Sequence, residues 1–264
     1  MSTNPSQDAQ QVRQGVQDWW RTSIIDMAPG EIRYRGYPIQ ELIGRVSFAQ
    51  MIWLMTRGEL PTEPQGRLLD AALMSGVGLN NAMASAVNVL GDVHGGAGEQ
   101  AVEMYLDIAA RIDGGQEPVA AVRAGLDAAI ATYGKFVSGF GHRFHPIDPR
   151  APRLLELVDE AAQAGVVNGR FAQIARAVED ELAQRKGGKR IPLNIDGATA
   201  VIYAELGFPA PLARGLFCLS RSVGILAHAW EQSQQGGRNK GPIPREYLWR
   251  YDGPAQRSVP DSNS

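Results

Sequence analysis

Three glycine-rich segments of the 264-residue chain each carry one residue suited to acid–base chemistry. The segment GDVHGGAGEQ contains His94, GFGHRFHPIDPR contains His142, and PLNIDG contains Asp196. A carboxylate can remove a proton from carbon, while neutral imidazoles can donate hydrogen bonds to an oxygen on which negative charge develops. The neighbouring glycines leave room for a ligand close to the backbone. Together the segments indicate a site that forms an enolate beside a thioester or ketone.

Each of these residues also has a structural interpretation. Histidines in glycine-rich loops often only shape a turn, and Asp196 is a candidate N-cap for the helix that GATAVIYAEL predicts. His145, three residues after His142, could join it in holding a metal ion. We expect no metal, because neither a cysteine nor an acidic cluster supports such a site. His228, in the segment GILAHAWEQ, is predicted to be a packing histidine on a helix.

The elements that must position these residues are helices, and the chain is predicted to be all-α. Phe171, Ile174 and Val178 recur at helical spacing on one face of FAQIARAVEDELAQR. Thr62 and Gln65 form a capping-box pair at the start of another helix. Only SIIDMAPGEIRYRGYPIQEL, with β-branched residues, Gly and Pro, indicates short extended pieces and turns. The three glycine-rich segments therefore lie in connections between helices, where functional residues are common.

Composition limits the partners and the compartment. Lys and Arg number 26 and Asp and Glu 28, so the net charge of −2 creates no overall field that would attract nucleic acid or an anionic membrane. We expect neither as a partner. Cys218 is the single cysteine, which excludes an intramolecular disulfide and suits a reducing cytoplasm. A polar start without an apolar core and the lack of an apolar run of about 18 residues predict neither a signal peptide nor a membrane span.

Taken jointly, the segments resemble those of the citrate synthase superfamily, which includes citryl-CoA lyases. RYRGYPIQEL followed by TRGELPT is similar to that family's N-terminal signature, and HGGAGE is similar to its first catalytic loop. GFGHRFHPIDPRA resembles the second loop, NIDG the catalytic aspartate segment, and SRSVGILAHAWEQ the late helix with a substrate-binding arginine. The resemblance runs from about residue 22 to residue 253.

The resemblance implies a citrate synthase-like fold with two helical domains, and a homodimer. Residues 1–96 and 199–264 would form the large domain, and residues 97–198 would form an inserted, smaller domain that binds coenzyme A. Part of the C-terminal tail, including Arg238 or Arg245, would reach the site of the partner subunit.

The resemblance also implies roles for single residues. His94 would stabilise the enol of acetyl-CoA, His142 would interact with the oxaloacetate carbonyl or the citryl hydroxyl, and Asp196 would be the base on the acetyl methyl group. Arg150 and Arg221 would hold substrate carboxylates, for which a planar guanidinium is well suited.

The resemblance further implies that coenzyme A is bound as a thioester co-substrate. One loop would supply the backbone that encloses its adenine: Val137, Ser138, Gly139, Phe140 and Gly141. Lys189 and Arg190, in KGGKR, would meet its phosphates, although KGGKR is equally consistent with a solvated loop after a helix.

Two departures from the family pattern bear on function. Family members carry a longer helical stretch between GELPT and HGGA, and lyase-type members place there a segment resembling DHG…S…AR with another substrate-binding histidine. Here no histidine precedes His94. Either the protein lacks that segment, which would put the substrate pocket in doubt, or a stretch near Val77–Gly78 is missing from the sequence, as the family-like flanks favour.

The second departure concerns the reaction. Synthases follow the aspartate with an aromatic residue and then Ser-Gly, whereas NIDGATAV is closer to the lyase pattern. With the short length, this favours a citryl-CoA lyase that cleaves citryl-CoA to acetyl-CoA and oxaloacetate. Citrate synthase, which also hydrolyses the thioester, and 2-methylcitrate synthase, which uses propionyl-CoA, remain alternatives. A non-catalytic, CoA-binding helical regulator is the alternative of another class.

Overall fold

The computed structural model describes residues 13–75, 80–92, 94–235 and 249–259, which are mostly helical. The prediction of an all-α protein is confirmed. The helices with defined bounds are α1 (Ile39–Leu42), α2 (Phe48–Arg57), α3 (Glu63–Ser75), α4 (Asn80–Asn88), α5 (Ala97–Asp113), α6 (Pro118–Tyr133), α7 (Arg150–Gln163), α8 (Arg170–Arg185), α9 (Ile195–Glu205) and α10 (Ala210–Gln234). Val77 and Gly78, with Arg238 and Arg245, lie outside the described residues.

The chain divides into two compact units. The first unit comprises residues 1–27, 32–83 and 223–264, and the second comprises residues 28–31 and 84–222. All three glycine-rich segments belong to the second unit. The assignment of a large domain and a smaller, CoA-binding domain stays a prediction.

The short extended pieces that the sequence predicts near the N-terminus pair into a small sheet, a pairing that the sequence did not predict. Its strands β1 (Ile25–Ala28), β2 (Glu31–Tyr34) and β3 (Tyr37–Pro38) are arranged in chain order, and β2 pairs with β3 in antiparallel fashion. Arg35 and Gly36, which connect β2 to β3, both have positive φ values, 51° and 89°. Positive φ at both central residues is what the commonest two-residue hairpin turn requires.

Side-chain caps begin two helices of the first unit. The Ser47 hydroxyl accepts the N–H of Gln50, and the Gln50 side chain accepts the N–H of Ser47, which closes a capping box at the start of α2. The predicted pair of Thr62 and Gln65 is confirmed, with the same reciprocal bonds before α3. Local sequence therefore determines where both helices begin.

Glu231 of α10 organises a polar cluster in the first unit. Its carboxylate accepts hydrogen bonds from the Thr22 hydroxyl at 2.8 Å and from the N–H and hydroxyl of Ser23 at 2.9 and 2.8 Å. Burial tends to raise the pKa of Glu231, but hydrogen bonds from His228, Ser23 and Thr22 outweigh it and lower the pKa to about 2. The prediction that His228 is a packing residue is wrong, because its side chain is 48% exposed and faces Glu231.

The core of the second unit places α9 against the neighbouring helices. Tyr105 of α5 is fully buried, and its hydroxyl donates to the carbonyl oxygen of Gly197 in α9 at 3.4 Å. Ile108, Leu126 and Val201, also fully buried, belong to the same core cluster. The first turn of α9, which carries Asp196, therefore rests on a packed apolar layer.

By length and composition, α10 could cross a bilayer, with 22% of its most apolar window buried. The expectation of no membrane span stays a prediction, because length and composition alone are also met by helices packed inside proteins. Ala213 belongs to the core of the second unit and Ala227 to a core cluster of the first. Arg214, within this helix, pairs with Asp92. These contacts are typical of a helix packed within a protein, and the absence of a membrane partner stays a prediction.

We expect Glu231→Gln to destabilise the protein in a pH-dependent manner. The folded-state pKa of Glu231, about 2, lies below its ordinary value of 4.5. The carboxylate therefore stabilises the fold fully above pH 4.5, and this contribution is lost as the pH falls towards 2. The free energy of unfolding at about pH 7 should drop by roughly 1–2 kcal/mol, with a smaller drop at about pH 3.

Thermal unfolding followed by circular dichroism at both pH values measures this difference. Glu63→Gln, at an exposed carboxylate on α3, serves as the matched control and should change little. Equal destabilisation by Glu231→Gln at both pH values would show that the negative charge of Glu231 is not what stabilises the cluster.

Candidate active site

His142 lies between α6 and α7, and its ring is held in one tautomer. Its Nδ1 accepts the backbone N–H groups of Phe144 and His145, each at 3.1 Å. The neutral ring therefore carries its proton on Nε2. Burial lowers the pKa of His142, an effect that Asp148 opposes and that His145 and Arg150 reinforce. His142 is thus neutral at physiological pH and offers Nε2–H as a hydrogen-bond donor.

Asp148, only 1% exposed, joins this loop to the start of α9. Its carboxylate accepts Nε–H and Nη2–H of Arg150, each at 2.8 Å, and the N–H of Ile195 at 3.0 Å. Burial acts to raise the pKa of Asp148, but the hydrogen bonds and charge of Arg150 and the Ile195 N–H outweigh it and lower the pKa. The bidentate ion pair with Asp148 therefore orients Arg150, which is predicted to bind substrate.

Asn194 is the residue that caps α9. Its Oδ1 accepts the N–H groups of Asp196 at 2.9 Å and Gly197 at 3.2 Å, and its Nδ2 donates to the Gly141 carbonyl oxygen at 2.6 Å. The interpretation of Asp196 as the N-cap is therefore wrong, because Asp196 is the second residue of the helix. The Asp196 carboxylate is left available for another role.

The Asp196 carboxylate is partly buried, and within the described ranges no side chain or backbone group donates a hydrogen bond to it. Burial raises the pKa of Asp196; the positive charges of Arg150 and Arg221 oppose this, and Asp148 adds to it. A carboxylate with a raised pKa is a stronger base when ionised and a usable acid when protonated. Both predicted substrate-binding arginines thus lie close enough to Asp196 to affect its ionisation.

The predicted CoA loop packs directly on the first turn of α9. A Cβ on Gly197 would lie 2.4 Å from the Gly139 carbonyl oxygen, and Gly139 has a φ of +90°. The Asn194 N–H donates to that oxygen at 2.9 Å, and the Gly141 N–H donates to the Pro192 carbonyl oxygen at 2.7 Å. Glycine is therefore required on both sides of this contact.

The other predicted CoA-binding residues flank this contact. The Ser138 hydroxyl donates to the Gln100 side chain at 2.6 Å, Phe140 is buried, and Val137 packs against the core. In the segment after α8, Lys189 is exposed and Arg190 pairs with Glu179 at 2.5 Å. These positions alone do not test whether the residues contact coenzyme A. Binding of coenzyme A by the loop and by KGGKR therefore stays a prediction.

His94 is exposed in the loop before α5. A Cβ on the adjacent Gly95 would lie 3.3 Å from the ring of Phe217, and the Arg221 guanidinium lies over that ring at 4.9 Å from its centroid. Arg221 is one of the charges that act on Asp196. The structure therefore brings Asp196, Arg150 and Arg221 into one electrostatic cluster with Asp148, which also acts on His142. Only Gly95, the neighbour of His94, is seen to lie near Phe217, so the place of His94 in this cluster stays a prediction.

Arg214 of α10 holds the His94 loop on two sides. Its Nη2 pairs with Asp92 at 2.6 Å, and its Nε donates to Glu99 in the first turn of α5. Sequence reasoning missed this residue, because Arg214 and Glu99 are 115 positions apart and carry no local signal. It also missed Asn194, which directly precedes the first residue of α9 and is of a type that commonly caps helices.

A metal site at His142 and His145 is not favoured by the geometry. The Nδ1 atoms of both rings already accept backbone N–H groups. Phe144 donates to His142, and Gly30 donates to His145 at 2.7 Å. No group of three or more His, Cys, Asp or Glu side chains suited to a metal occurs in the part of the chain that the structure describes. The two rings are therefore better suited to hydrogen bonding.

Comparison with known proteins identifies the relatives of this chain. The family model described as citrate synthase, C-terminal domain, matches residues 13–90 and 75–251. A citrate synthase of Acidithiobacillus ferridurans is 34% identical over 61% of this chain and 41% of its own length. A citrate synthase of Haloferax volcanii is 30% identical over 67% and 49%, respectively. The chain spans about half the length of the curated relatives it matches.

Solved structures confirm the predicted citrate synthase-like fold. The citryl-CoA lyase of Hydrogenobacter thermophilus is similar with a TM-score of 0.50 and 30% identity, covering 91% of this chain and 97% of that chain. The citrate synthase of Thermoplasma acidophilum, solved with carboxymethyl coenzyme A and oxaloacetate, gives a TM-score of 0.61 at 18% identity, covering 91% and 95%. At that identity the second likeness concerns the fold alone.

We expect Asp196→Asn to lower turnover strongly while leaving stability nearly unchanged. The amide preserves the shape of the side chain, and the helix keeps its cap from Asn194. Loss of a general acid–base group should lower kcat by about 10²–10⁴-fold. Steady-state kinetics and thermal unfolding of the same preparation measure the two effects.

Asn194→Ala is the contrasting variant. Removing the cap should cost about 1 kcal/mol or more of stability, because two helix N–H groups and the Gly141 carbonyl lose their partner. Asp196→Asn with turnover like that of the unaltered protein would assign Asp196 a structural role only.

Proposed function

Because the chain belongs to the citrate synthase family, we propose that it cleaves citryl-CoA into acetyl-CoA and oxaloacetate. The observation that carries the proposal is the environment of Asp196: a carboxyl of raised pKa, not used as a cap, acted on by Arg150 and Arg221. Neutral His142, with its proton on Nε2, belongs to the same electrostatic cluster through Asp148 and Arg150. An acid–base group, paired cations and a neutral donor are what carbon–carbon cleavage beside a thioester needs.

In the cleavage, the citryl hydroxyl loses its proton to water and becomes the carbonyl of oxaloacetate. His142 Nε2–H donates a hydrogen bond to this oxygen and stabilises the charge that it carries. The electrons of the broken carbon–carbon bond pass to the thioester as an enolate, whose oxygen accepts a hydrogen bond from His94. Asp196 then gives its proton to the enolate carbon, which completes acetyl-CoA.

Basic side chains support the binding of an anionic substrate. Arg150 and Arg221 would hold the carboxylates of the citryl group, Arg150 in the orientation that Asp148 imposes. The loop from Val137 to Gly141 would bind the coenzyme A portion, because it rests on the helical turn that carries Asp196. Lys189 and Arg190 would add positive charge for the phosphates.

Two observations favour cleavage over synthesis. The motif NIDG follows the lyase pattern, and a citryl-CoA lyase structure is 30% identical to this chain. A second candidate is citrate synthesis, because the curated relatives at 34% and 30% identity are named citrate synthase. The synthase would use the same residues in the reverse direction and would also hydrolyse the citryl thioester.

We further propose a homodimer in the cytoplasm. Leu212 and Leu219, seven residues apart on the part of α10 that belongs to the second unit, form an apolar stripe and are about half exposed. An apolar stripe of this kind supports burial against a second copy of the chain. The single cysteine is consistent with a reducing compartment.

A paired assay tests the proposed reaction and its direction. In one arm, citryl-CoA is supplied and oxaloacetate is detected by its NADH-dependent reduction. In the other arm, acetyl-CoA and oxaloacetate are supplied and the free thiol of coenzyme A is detected. We expect oxaloacetate in the first arm and no thiol above background in the second, with Asp196→Asn silent in both.

The other outcomes are equally informative. Thiol release in the second arm would identify a synthase, and a parallel sample with propionyl-CoA would reveal 2-methylcitrate synthesis. Silence in both arms from folded protein, with coenzyme A binding retained in calorimetry, would contradict an enzyme and favour a CoA-binding regulator.

A further inference from the structure

His145 is the most deeply buried of the four histidines, at 2% exposed, and the proposed reaction gives it no role. Its Nδ1 accepts the N–H of Gly30 at 2.7 Å, so its own proton is on Nε2. That Nε2–H has no hydrogen-bond partner among the residues that the structure describes. Because an unpaired buried donor costs free energy, stability alone does not account for a histidine at this position.

His145 contacts His142 in two ways. The two ring centroids are 4.5 Å apart with an angle of 38° between the ring planes. The backbone N–H of His145 also donates to Nδ1 of His142 at 3.1 Å. One residue thus supports the face of the His142 ring and supplies one of the two donors that determine its tautomer.

Gly30 anchors this arrangement from the turn between β1 and β2. Because Gly30 belongs to the same compact unit as both histidines, the hydrogen bond to His145 links the turn to the His142 loop. The charged side chains that influence the ionisation of His145 are Asp148 and Arg150. Burial lowers the pKa of His145, an effect that Asp148 opposes and Arg150 reinforces. A neutral ring keeps the Nδ1 lone pair available for Gly30.

We propose that His145 is a positioning residue that holds His142 in one orientation and one tautomer. The Gly30 hydrogen bond anchors the His145 ring, the ring supports His142, and the adjoining N–H holds His142 Nδ1. The inference rests on the proposed function, in which His142 Nε2–H donates to the substrate oxygen. His145 itself does not touch the substrate.

Two substitutions separate the acceptor from the ring. His145→Phe keeps a flat ring beside His142 but has no acceptor for Gly30, whereas His145→Asn places an acceptor oxygen near the position of Nδ1. We expect His145→Phe to lower kcat by about 10–100-fold with KM changed far less, because small displacements of a reacting group are costly. His145→Asn should recover part of the lost kcat, because it restores the acceptor for Gly30 but not the ring beside His142.

Thermal stability distinguishes a positioning role of His145 from a merely structural one, because a structural residue lowers the unfolding midpoint when it is replaced. His145→Phe removes the unpaired Nε2–H, and Gly30 is exposed, so its N–H can bond to water. The midpoint of thermal unfolding should therefore not fall. His228→Gln, at an exposed histidine of the other unit, is the matched control and should leave kcat unchanged. An unaltered kcat in His145→Phe, or losses of kcat and unfolding midpoint that run in parallel in both variants, would overturn the proposal.

Nitrogen-15 NMR of histidine-labelled protein tests the inference without turnover. The chain has four histidines, so long-range proton–nitrogen spectra resolve the tautomer of each ring. We expect His142 in the single Nε2–H form in the unaltered protein and in His145→Asn, and a mixture of tautomers in His145→Phe. If the unaltered protein lacks turnover, the proposed function fails while these spectra still decide the inference. A His142 signal identical in all three proteins would refute it.

Discussion

Asn194 ties the first turn of α9 to the loop that packs against it. Its side chain accepts the N–H groups of Asp196 and Gly197 and donates to Gly141, while its own N–H donates to Gly139. Because this amide satisfies the helix end, the carboxylate two residues later is not needed there. The folding requirement of the helix and the chemical requirement of the site are thus met by different residues.

Asp148 and Asp196 show how environment gives one residue type two roles. Asp148 is buried and Asp196 is partly buried, yet the pKa of Asp148 is lowered and that of Asp196 is raised. The difference arises because Asp148 accepts two guanidinium bonds from Arg150 and the N–H of Ile195, whereas Asp196 interacts with Arg150 and Arg221 only through space. The Asp148 carboxylate therefore favours its ionised form and orients Arg150, and Asp196 is the group better suited to exchange a proton. Neighbouring carboxyls with pKa values pushed apart are typical of acid–base sites.

The sequence predicts the helical class and the segments of the site because both depend on local patterns. Helical spacing and reciprocal capping pairs such as Thr62 with Gln65 are readable over a few residues. The alternative interpretation of Asp196 as the cap was wrong, because Asn and Asp cap equally well and spacing alone did not decide between Asn194 and Asp196. Arg214 could not be predicted, because its partners lie far away along the chain. The roles of single site residues and the division into domains stay predictions.

The central claim is that the Asp196 carboxyl, free of a capping role, acts as the acid–base group. The most direct test of this claim is hydrogen exchange at the methyl carbon of acetyl-CoA. Acetyl-CoA is incubated with the protein in deuterated water together with malate, which fills the place of oxaloacetate but has no carbonyl to attack. Deuterium entering the acetyl methyl group is then measured by mass spectrometry. The account predicts exchange with the unaltered protein and with Asn194→Ala that remains folded, and none with Asp196→Asn. Equal exchange with and without the Asp196 carboxyl would contradict it.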